Sequence, residues 1–392
     1  MHDLKSFRYF TPTEVIFGCH ALKDFAEKDL KKKTERVLIV TGKTSALKSG
    51  ALEMLRNACP SSIIFDQVPE NPTTEVCDNA AKICREYACD MILAVGGGSP
   101  MDVAKAAAGL MKNEGLCSDF FGSGLFRNGA LPVIAIPTTA GTGSEVTPYS
   151  VIVDSRTNMK KSIADPSIFP KTAVLDPVLT VTMPRHVTTN TGLDALSQAM
   201  EGFLSVNSTP LGDVLALEVC RLVKAWLPRA IADGNDLDAR SHMLFAAMMS
   251  GCVIAQSGTT LVHGLGYAFT THCGVPHGLA NALLLAPVFQ FNARITPEKV
   301  AQLSAALGFP TRPEPGAASQ SIGIAVHTLL QECGVSPAAK MVGVDETRLA
   351  DFAEQVAAEP YRFRNQIGKP TYDDLLRMYR ASYDGVFLDA AE

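Results

Sequence analysis

Residues 91–105 read MILAVGGGSPMDVAK. Met91 to Val95 is apolar at every position and runs straight into Gly96-Gly97-Gly98-Ser99-Pro100, after which Met101-Asp102-Val103-Ala104-Lys105 begins a helical pattern. A strand without alternation is covered on both faces, as in a parallel sheet. A glycine turn that opens a helix lets backbone N–H groups approach a pyrophosphate. The stretch therefore predicts one strand–turn–helix unit of an α/β domain with a phosphate cradle at the strand's carboxyl end. It is not the G-x-G-x-x-G fingerprint, and three glycines alone also make a plain tight turn.

Outward from there, Arg36 to Thr41 (RVLIVT), Ser62 to Phe65 (SIIF) and Pro132 to Ile136 (PVIAI) have the same texture. Ser49 to Cys59 and Thr73 to Tyr87, which lie between them, show helical periodicity. Strands separated by such helices imply βαβ crossovers and a mainly parallel, Rossmann-like sheet. The opening stretch, with FRYF and TEVIFG around Pro12, is expected to form an antiparallel ribbon at the sheet edge. A second polar loop, Pro137-Thr138-Thr139-Ala140-Gly141-Thr142-Gly143-Ser144-Glu145, follows PVIAI. Two such loops at strand carboxyl ends, where open α/β sheets collect ligands, argue for a dinucleotide more strongly than one.

After Leu175-Asp176-Pro177 the strand-like runs nearly vanish. Val187–Leu204, Pro210–Trp226, Asp238–Gln256, Thr260–Thr271, Gly278–Arg294 and Pro297–Leu307 all carry apolar residues at i, i+3 and i+4. The expected organisation is a dinucleotide-binding α/β domain over residues 1–180 and an all-helical metal- and substrate-binding domain over 181–392.

Composition sets the outer limits. A chain of 392 residues, 47% apolar and 19% charged, is not a disordered polymer. With 35 basic and 40 acidic side chains it has no domain-wide positive field for nucleic acid or anionic lipid. Its ten cysteines are scattered without a CxxC pair, the start MHDLKSFRYF has no signal-peptide pattern, and charges or glycines interrupt every apolar run. The expectation is a soluble cytoplasmic protein with reduced thiols, a small-molecule substrate, and neither nucleic acid nor membrane as partner.

Polar residues in the helical half call for a second explanation. Asp194 and Gln198 are four apart, on one face of a helix; His263 sits in a Gly-rich apolar segment; His277 follows Pro276 at the start of another. Taken singly, each histidine reads best as a hydrogen-bonded core residue. Taken together, one carboxylate, one amide oxygen and two imidazoles suit a divalent cation with an open position, which stabilises the alkoxide from which a hydride departs.

With both halves in view, the sequence resembles the iron-containing (group III) alcohol dehydrogenase family. The resemblance rests on GGGSPMDVAK (96–105), IPTTAGTGSEVT (136–147), LDPVLTVTMP (175–184), TGLDALSQAMEGF (191–203) and HGLGYAFTTHCGVPHGLANALLL (263–285). It implies a metal-dependent NAD(P)H oxidoreductase interconverting a short primary alcohol and its aldehyde, assembled as a homodimer or higher homo-oligomer. By resemblance, Gly97, Gly98, Ser99, Asp102, Thr138, Thr139 and Leu179 line the dinucleotide site, with Asn71 and Lys160 near its nicotinamide half or ribose. Asp194, His263 and His277 match the family's metal ligands, with Fe2+ the expected ion and Zn2+ or Mn2+ the alternatives.

The chain departs from the family pattern in three places. Gln198 stands where a histidine ligand is usual. Tyr267 replaces a histidine thought to relay the alcohol proton, leaving Tyr267, His272 or water for that task. Thr41-Gly42-Lys43 replaces an aspartate that accepts the adenosine ribose, so Gly42 and Lys43 admit NADP(H) beside NAD(H). Arg362 and Arg364, in YRFR, are candidates to clamp the anionic end of a substrate such as sulfoacetaldehyde, although arginines in such a stretch are commonly surface residues. Two other functions stay open on sequence alone: a non-redox enzyme of dehydroquinate-synthase type, and a catalytically weakened dinucleotide-binding relative.

Overall fold

Each apolar run forms a strand because both of its faces find a core. The computed structural model describes residues 6–30 and 36–388. In chain order its strands are β1 (Glu14–Phe17), β2 (Val37–Thr41), β3 (Ile63–Phe65), β4 (Met91–Gly96), β5 (Gly122–Ser123), β6 (Val133–Pro137), β7 (Tyr149–Asp154), β8 (Met159–Ala164) and β9 (Thr172–Leu175). Six of them form one parallel sheet in the order β1-β9-β6-β4-β2-β3. Ile39 pairs with Leu93, and Leu93 with Ile134, across its centre. Leu38, Val40, Ile92, Ala94, Val133 and Ala135 enter one apolar cluster, while Val37, Ile39, Leu93, Val95, Ile134 and Ile136 enter the other. Alternate residues thus bury on opposite faces, each Val, Leu or Ile contributing about 1.5–3 kcal/mol relative to exposure.

The helices are α1 (Ala21–Phe25), α2 (Ser45–Lys48), α3 (Ala51–Ala58), α4 (Thr74–Glu86), α5 (Gly98–Leu110), α6 (Arg185–Leu204), α7 (Pro210–Ala232), α8 (Leu237–Ser257), α9 (Leu261–Cys273), α10 (His277–Asn292), α11 (Pro297–Ala306), α12 (Pro315–Glu332), α13 (Leu349–Ala358) and α14 (Tyr372–Asp384). Two compact units result. One comprises Thr11–Pro184 with Gly234–Gly251; the other comprises Arg185–Asp233 and Cys252 onward, with the described residues up to Phe10. Among the described residues, no single helix is long and apolar enough to cross a membrane.

The N-terminal ribbon is corrected by the structure. β1 is a single strand lying parallel beside β9, with Glu14 opposite Thr172. The chain turns into α1 soon after Phe17, so no returning strand is available for an antiparallel hairpin. FRYF is not a strand, and the Phe10 backbone is instead held by the Gln256 side chain, at 3.0 Å to its N–H and 2.7 Å to its carbonyl. The antiparallel hairpin of this unit is β7–β8, whose mixed pattern YSVIVD and MKKSIA gave no apolar run. In α7 the helix continues through Pro228 to Ala232, beyond the point where periodicity ended it.

Candidate active site: an ion cluster and a pair of loops

α6 is buried along most of its length, so its polar side chains have to find partners inside the protein. Asp194, Gln198 and Glu201 follow at i, i+4 and i+7 on one face, and none is more than 4% exposed. Two glycines let the neighbouring helices come close. A Cβ at Gly278 would lie 1.9 Å from the Asn190 carbonyl oxygen, and one at Gly266 would lie 2.2 Å from Asn281 Oδ1. Gly278 therefore seats the first turn of α10, with His277, against α6. Gly266 leaves room for the Asn281 amide beside α9.

Asp194, His263 and His277 offer ligand atoms that all lie within 4.8 Å of one another. His263 Nε2 is 3.7 Å and His277 Nε2 3.9 Å from Asp194 Oδ1. These separations are too long for hydrogen bonds. They are close to the roughly 3.4 Å that separates two ligand atoms of a tetrahedral ion with bonds of about 2.1 Å. One carboxylate and two imidazoles, converging without bonding one another, are a donor set that fits a divalent cation.

Glu201 was not singled out from the sequence. Its Oε1 accepts from Thr260 N (2.9 Å), Thr260 Oγ1 (2.9 Å) and His263 N (3.1 Å), and its Oε2 bonds His263 Nδ1. An anionic acceptor requires the proton on Nδ1, which leaves the Nε2 lone pair for the cluster. Burial alone would pull the His263 pKa down; the Glu201 charge and hydrogen bond, with Asp194, outweigh it and leave it raised. Asn281, fully buried, was missed too: its Nδ2 donates to Asp194 Oδ1 at 3.2 Å and lies 3.3 Å from His277 Nε2. Gln198 Nε2 donates to the other carboxylate oxygen, Oδ2, at 3.0 Å. The sequence signal was the spacing 194-198-201 in a segment with no solvent-facing side.

Tyr267 and His272 have different surroundings. The Tyr267 ring stacks on His277, with centroids 5.5 Å apart and planes at 22°. His272 is exposed and stacks on Phe352. Arg364 is exposed, and the Arg362 side chain lies outside the described residues. The next residue, Asn365, donates to the Thr259 carbonyl at 3.1 Å, which docks this segment beside the start of α9.

In the sheet unit, Gly97, Gly98 and Ser99 form the start of α5, whose first turn has no side-chain cap. The second loop lies against them: a Cβ at Gly97 would be 3.3 Å from Thr139 Oγ1, and one at Gly98 3.0 Å from Thr142 Cγ2. Thr138 N donates to Gly96 O at 2.9 Å, while Thr138 Oγ1 is a buried hydroxyl with no hydrogen-bond partner. Uncapped N–H groups and an unanswered hydroxyl suit a phosphate. Leu179 is buried in a 3-10 turn whose first N–H is capped by Asp176; Asn71 is exposed at φ 54°; Lys160 is on β8, and its charge acts on Asp102. Gly42 and Lys43 follow β2, and Lys43 shares a groove of about 640 Å³ with Asp66, Gln67, Val68 and Pro69. Asp66, immediately after the neighbouring strand β3, adds a carboxylate to this groove.

Beneath both loops lies Lys105, fully buried, donating to Ser144 Oγ (2.7 Å), Thr147 Oγ1 (3.2 Å) and the Tyr149 carbonyl (2.9 Å). Ser144 Oγ in turn donates to Asp102 Oδ1 at 2.9 Å. Burial lowers the Lys105 pKa to about 8 against the pull of Asp102 and Glu145, and it pushes Glu145 up to about 7. A carboxyl raised on folding contributes stability that is present below its ordinary 4.5 and lost as pH rises through about 7. Glu145→Gln is therefore expected to flatten that loss. Thermal unfolding of parent and variant between about pH 5 and 8 checks it, and a constant difference between them would contradict the assignment.

Comparison with known proteins matches this architecture. Residues 12–177 match the model of the family described as iron-containing alcohol dehydrogenase, and residues 188–383 match the Fe-containing alcohol dehydrogenase family, C-terminal. The chain is 34% identical over 344 residues to the probable alcohol dehydrogenase EutG of Escherichia coli strain K12, covering 88% of this chain and 84% of that one. It is 30% identical over 388 residues to the sulfoacetaldehyde reductase of Bilophila wadsworthia strain 3_1_6, covering 97% and 100%. Among solved structures, the sulfoacetaldehyde reductase of Bifidobacterium kashiwanohense in complex with NAD+ superposes with a TM-score of 0.83 at 32% identity, covering 97% and 99%. With both halves of its sequence matched in order, the chain belongs to the iron-containing alcohol dehydrogenase family.

Proposed function

We propose that this alcohol–aldehyde oxidoreductase reduces a short, anionic aldehyde such as sulfoacetaldehyde with NADH or NADPH, using a divalent ion, Fe2+ first, held by Asp194, His263 and His277. The observation that carries the reading is the convergence of those three ligand atoms within 4.8 Å, with Glu201 fixing the His263 ring. When bound, the ion supplies Lewis-acid polarisation of a carbonyl and the nicotinamide supplies hydride. The chain's own residues do the rest. Gly97, Gly98, Ser99 and Thr138 bind the pyrophosphate through N–H and hydroxyl groups, and Asp102, Thr139, Asn71, Lys160 and Leu179 complete the coenzyme site.

Tyr267, stacked on His277, is the proton donor of this reading; His272 is occupied against Phe352. Arg362 and Arg364 are assigned to the anionic end of the substrate, supported by the docking of Asn365 beside α9 and by likeness to two proteins named as sulfoacetaldehyde reductases. At the adenosine end, Lys43 favours a 2′-phosphate and Asp66 opposes it, so both coenzymes are admitted. The same reading places the enzyme in the cytoplasm, on its scattered cysteines, and in a homodimer, on the exposed apolar edge formed by Val15 and Phe17 of β1.

The test is oxidation of NADH and NADPH by sulfoacetaldehyde, propanal and glycolaldehyde, before chelation, after it, and after return of Fe2+, Zn2+ or Mn2+. Expected are turnover fastest with sulfoacetaldehyde, its loss on chelation and its recovery with metal. Turnover untouched by chelation would remove the ion from the reading. Absence of coenzyme oxidation with every aldehyde would remove the reductase activity.

A further inference from the structure

We propose that Gln198 is a positioning residue and not a ligand, so that this chain holds its ion through three side chains, Asp194, His263 and His277, with the Asp194 carboxylate clamped between two amides. The inference rests on the ion-site reading above. Asp194 Oδ1 is the oxygen that faces both imidazole Nε2 atoms, at 3.7 and 3.9 Å. Gln198 engages the other oxygen, Oδ2, through its Nε2 at 3.0 Å. An amide NH2 has no lone pair to offer a cation, since its nitrogen electrons are delocalised into the carbonyl. In this arrangement the NH2 end of Gln198 is the one turned to Asp194, since a carbonyl oxygen there would set two acceptors against each other.

Asn281 completes the clamp on Oδ1 at 3.2 Å, and the missing side chain at Gly266 makes room for it. Each carboxylate oxygen therefore has an NH2 donor, which fixes the orientation of Asp194 before any ion arrives. A third imidazole, as a fourth protein ligand, would take up one more coordination position. A Gln198 held on Oδ2 leaves that position to water or substrate, and three protein ligands are the usual number where an ion has catalytic work.

The experiment is a Co2+ titration of the full chain stripped of metal, reading affinity by competition with a chromophoric chelator and coordination by the d–d absorption bands. Gln198→Leu and Asn281→Leu are expected to weaken binding about tenfold, as loss of a partner behind a ligand does, while keeping the parent's band positions and intensity. Gln198→His is expected to bind more tightly and to change the bands, because it adds a donor. Gln198→Met replaces the leucine variant if that chain fails the circular-dichroism check of folding. Bands in the Gln198 variant that shift as they do in His277→Ala would overturn the proposal and make Gln198 a ligand. If Asp194→Ala and His263→Ala bind Co2+ like the parent, the ion-site reading itself fails, which is a different result.

Discussion

Glu201→Gln is expected to fold as the parent does and to lose about 10- to 100-fold in ion affinity, with a fall in turnover at least as large when metal is limiting. The glutamine can keep its carbonyl oxygen where Oε1 accepts from Thr260 N, Thr260 Oγ1 and His263 N. Its NH2 then faces His263 Nδ1, which has to become the acceptor. The ring proton moves to Nε2, the atom that faces Asp194, and the lone pair needed by a cation is gone. One charge and one proton position are changed, and almost nothing else. Circular dichroism of the stripped protein, Co2+ affinity and kcat together check this. A variant that binds Co2+ like the parent would show that the tautomer is set elsewhere. Glu201→Ala differs in kind: it strands four buried donors, at about 1–3 kcal/mol each, and is expected to unfold at markedly lower temperature.

Gly278→Ala is the second large effect. The added Cβ would sit 1.9 Å from Asn190 O, 2.9 Å from the carbon of that carbonyl and 2.9 Å from Asp194 Cβ. Two of these are backbone atoms of α6, which cannot turn aside as a side chain can. α10 has to move off α6 and takes His277 with it. The expected cost is about 3 kcal/mol or more, with loss of ion binding even where the chain stays folded. Gly274→Ala serves as the control. It has φ +68° but nothing within 4 Å of the added carbon, so only the backbone preference, about 1 kcal/mol, is lost. Equal falls in melting temperature for the two variants would contradict the packing argument.

The parallel strands were legible because burial on both faces writes an uninterrupted apolar run, as in β2, β4 and β6. β1 lacks that signal. It is a four-residue edge strand, mostly exposed, and its pairing direction depends on a partner more than 150 residues away, which local pattern does not encode. The β7–β8 hairpin is half-buried and carries Lys160 and Lys161 within a strand, so it resembled a loop. At the ion cluster, Asp194, His263 and His277 stood out because acids and imidazoles are conspicuous in apolar helices. Glu201 and Asn281 did not stand out. A glutamate near the end of a helix usually faces water, and an asparagine one turn into another usually answers a local backbone group; only the crossing of α6 with α9 and α10 gives both a buried partner. Asp66 was hidden for a related reason, since parallel pairing of β2 with β3 is what carries it to the groove of Lys43.

Lys105 bears on how such an enzyme can be rebuilt. Its ammonium ties α5 to the segment from Ser144 to Tyr149. α5 and the segment from Ser144 to Tyr149 are therefore one unit for transplantation: a graft of either alone would carry a cation without its acceptors, or acceptors without their cation. On the proposed coenzyme site, libraries aimed at changing coenzyme choice are better confined to Lys43 and Asp66, where side chains are exposed and the fastening underneath is left whole.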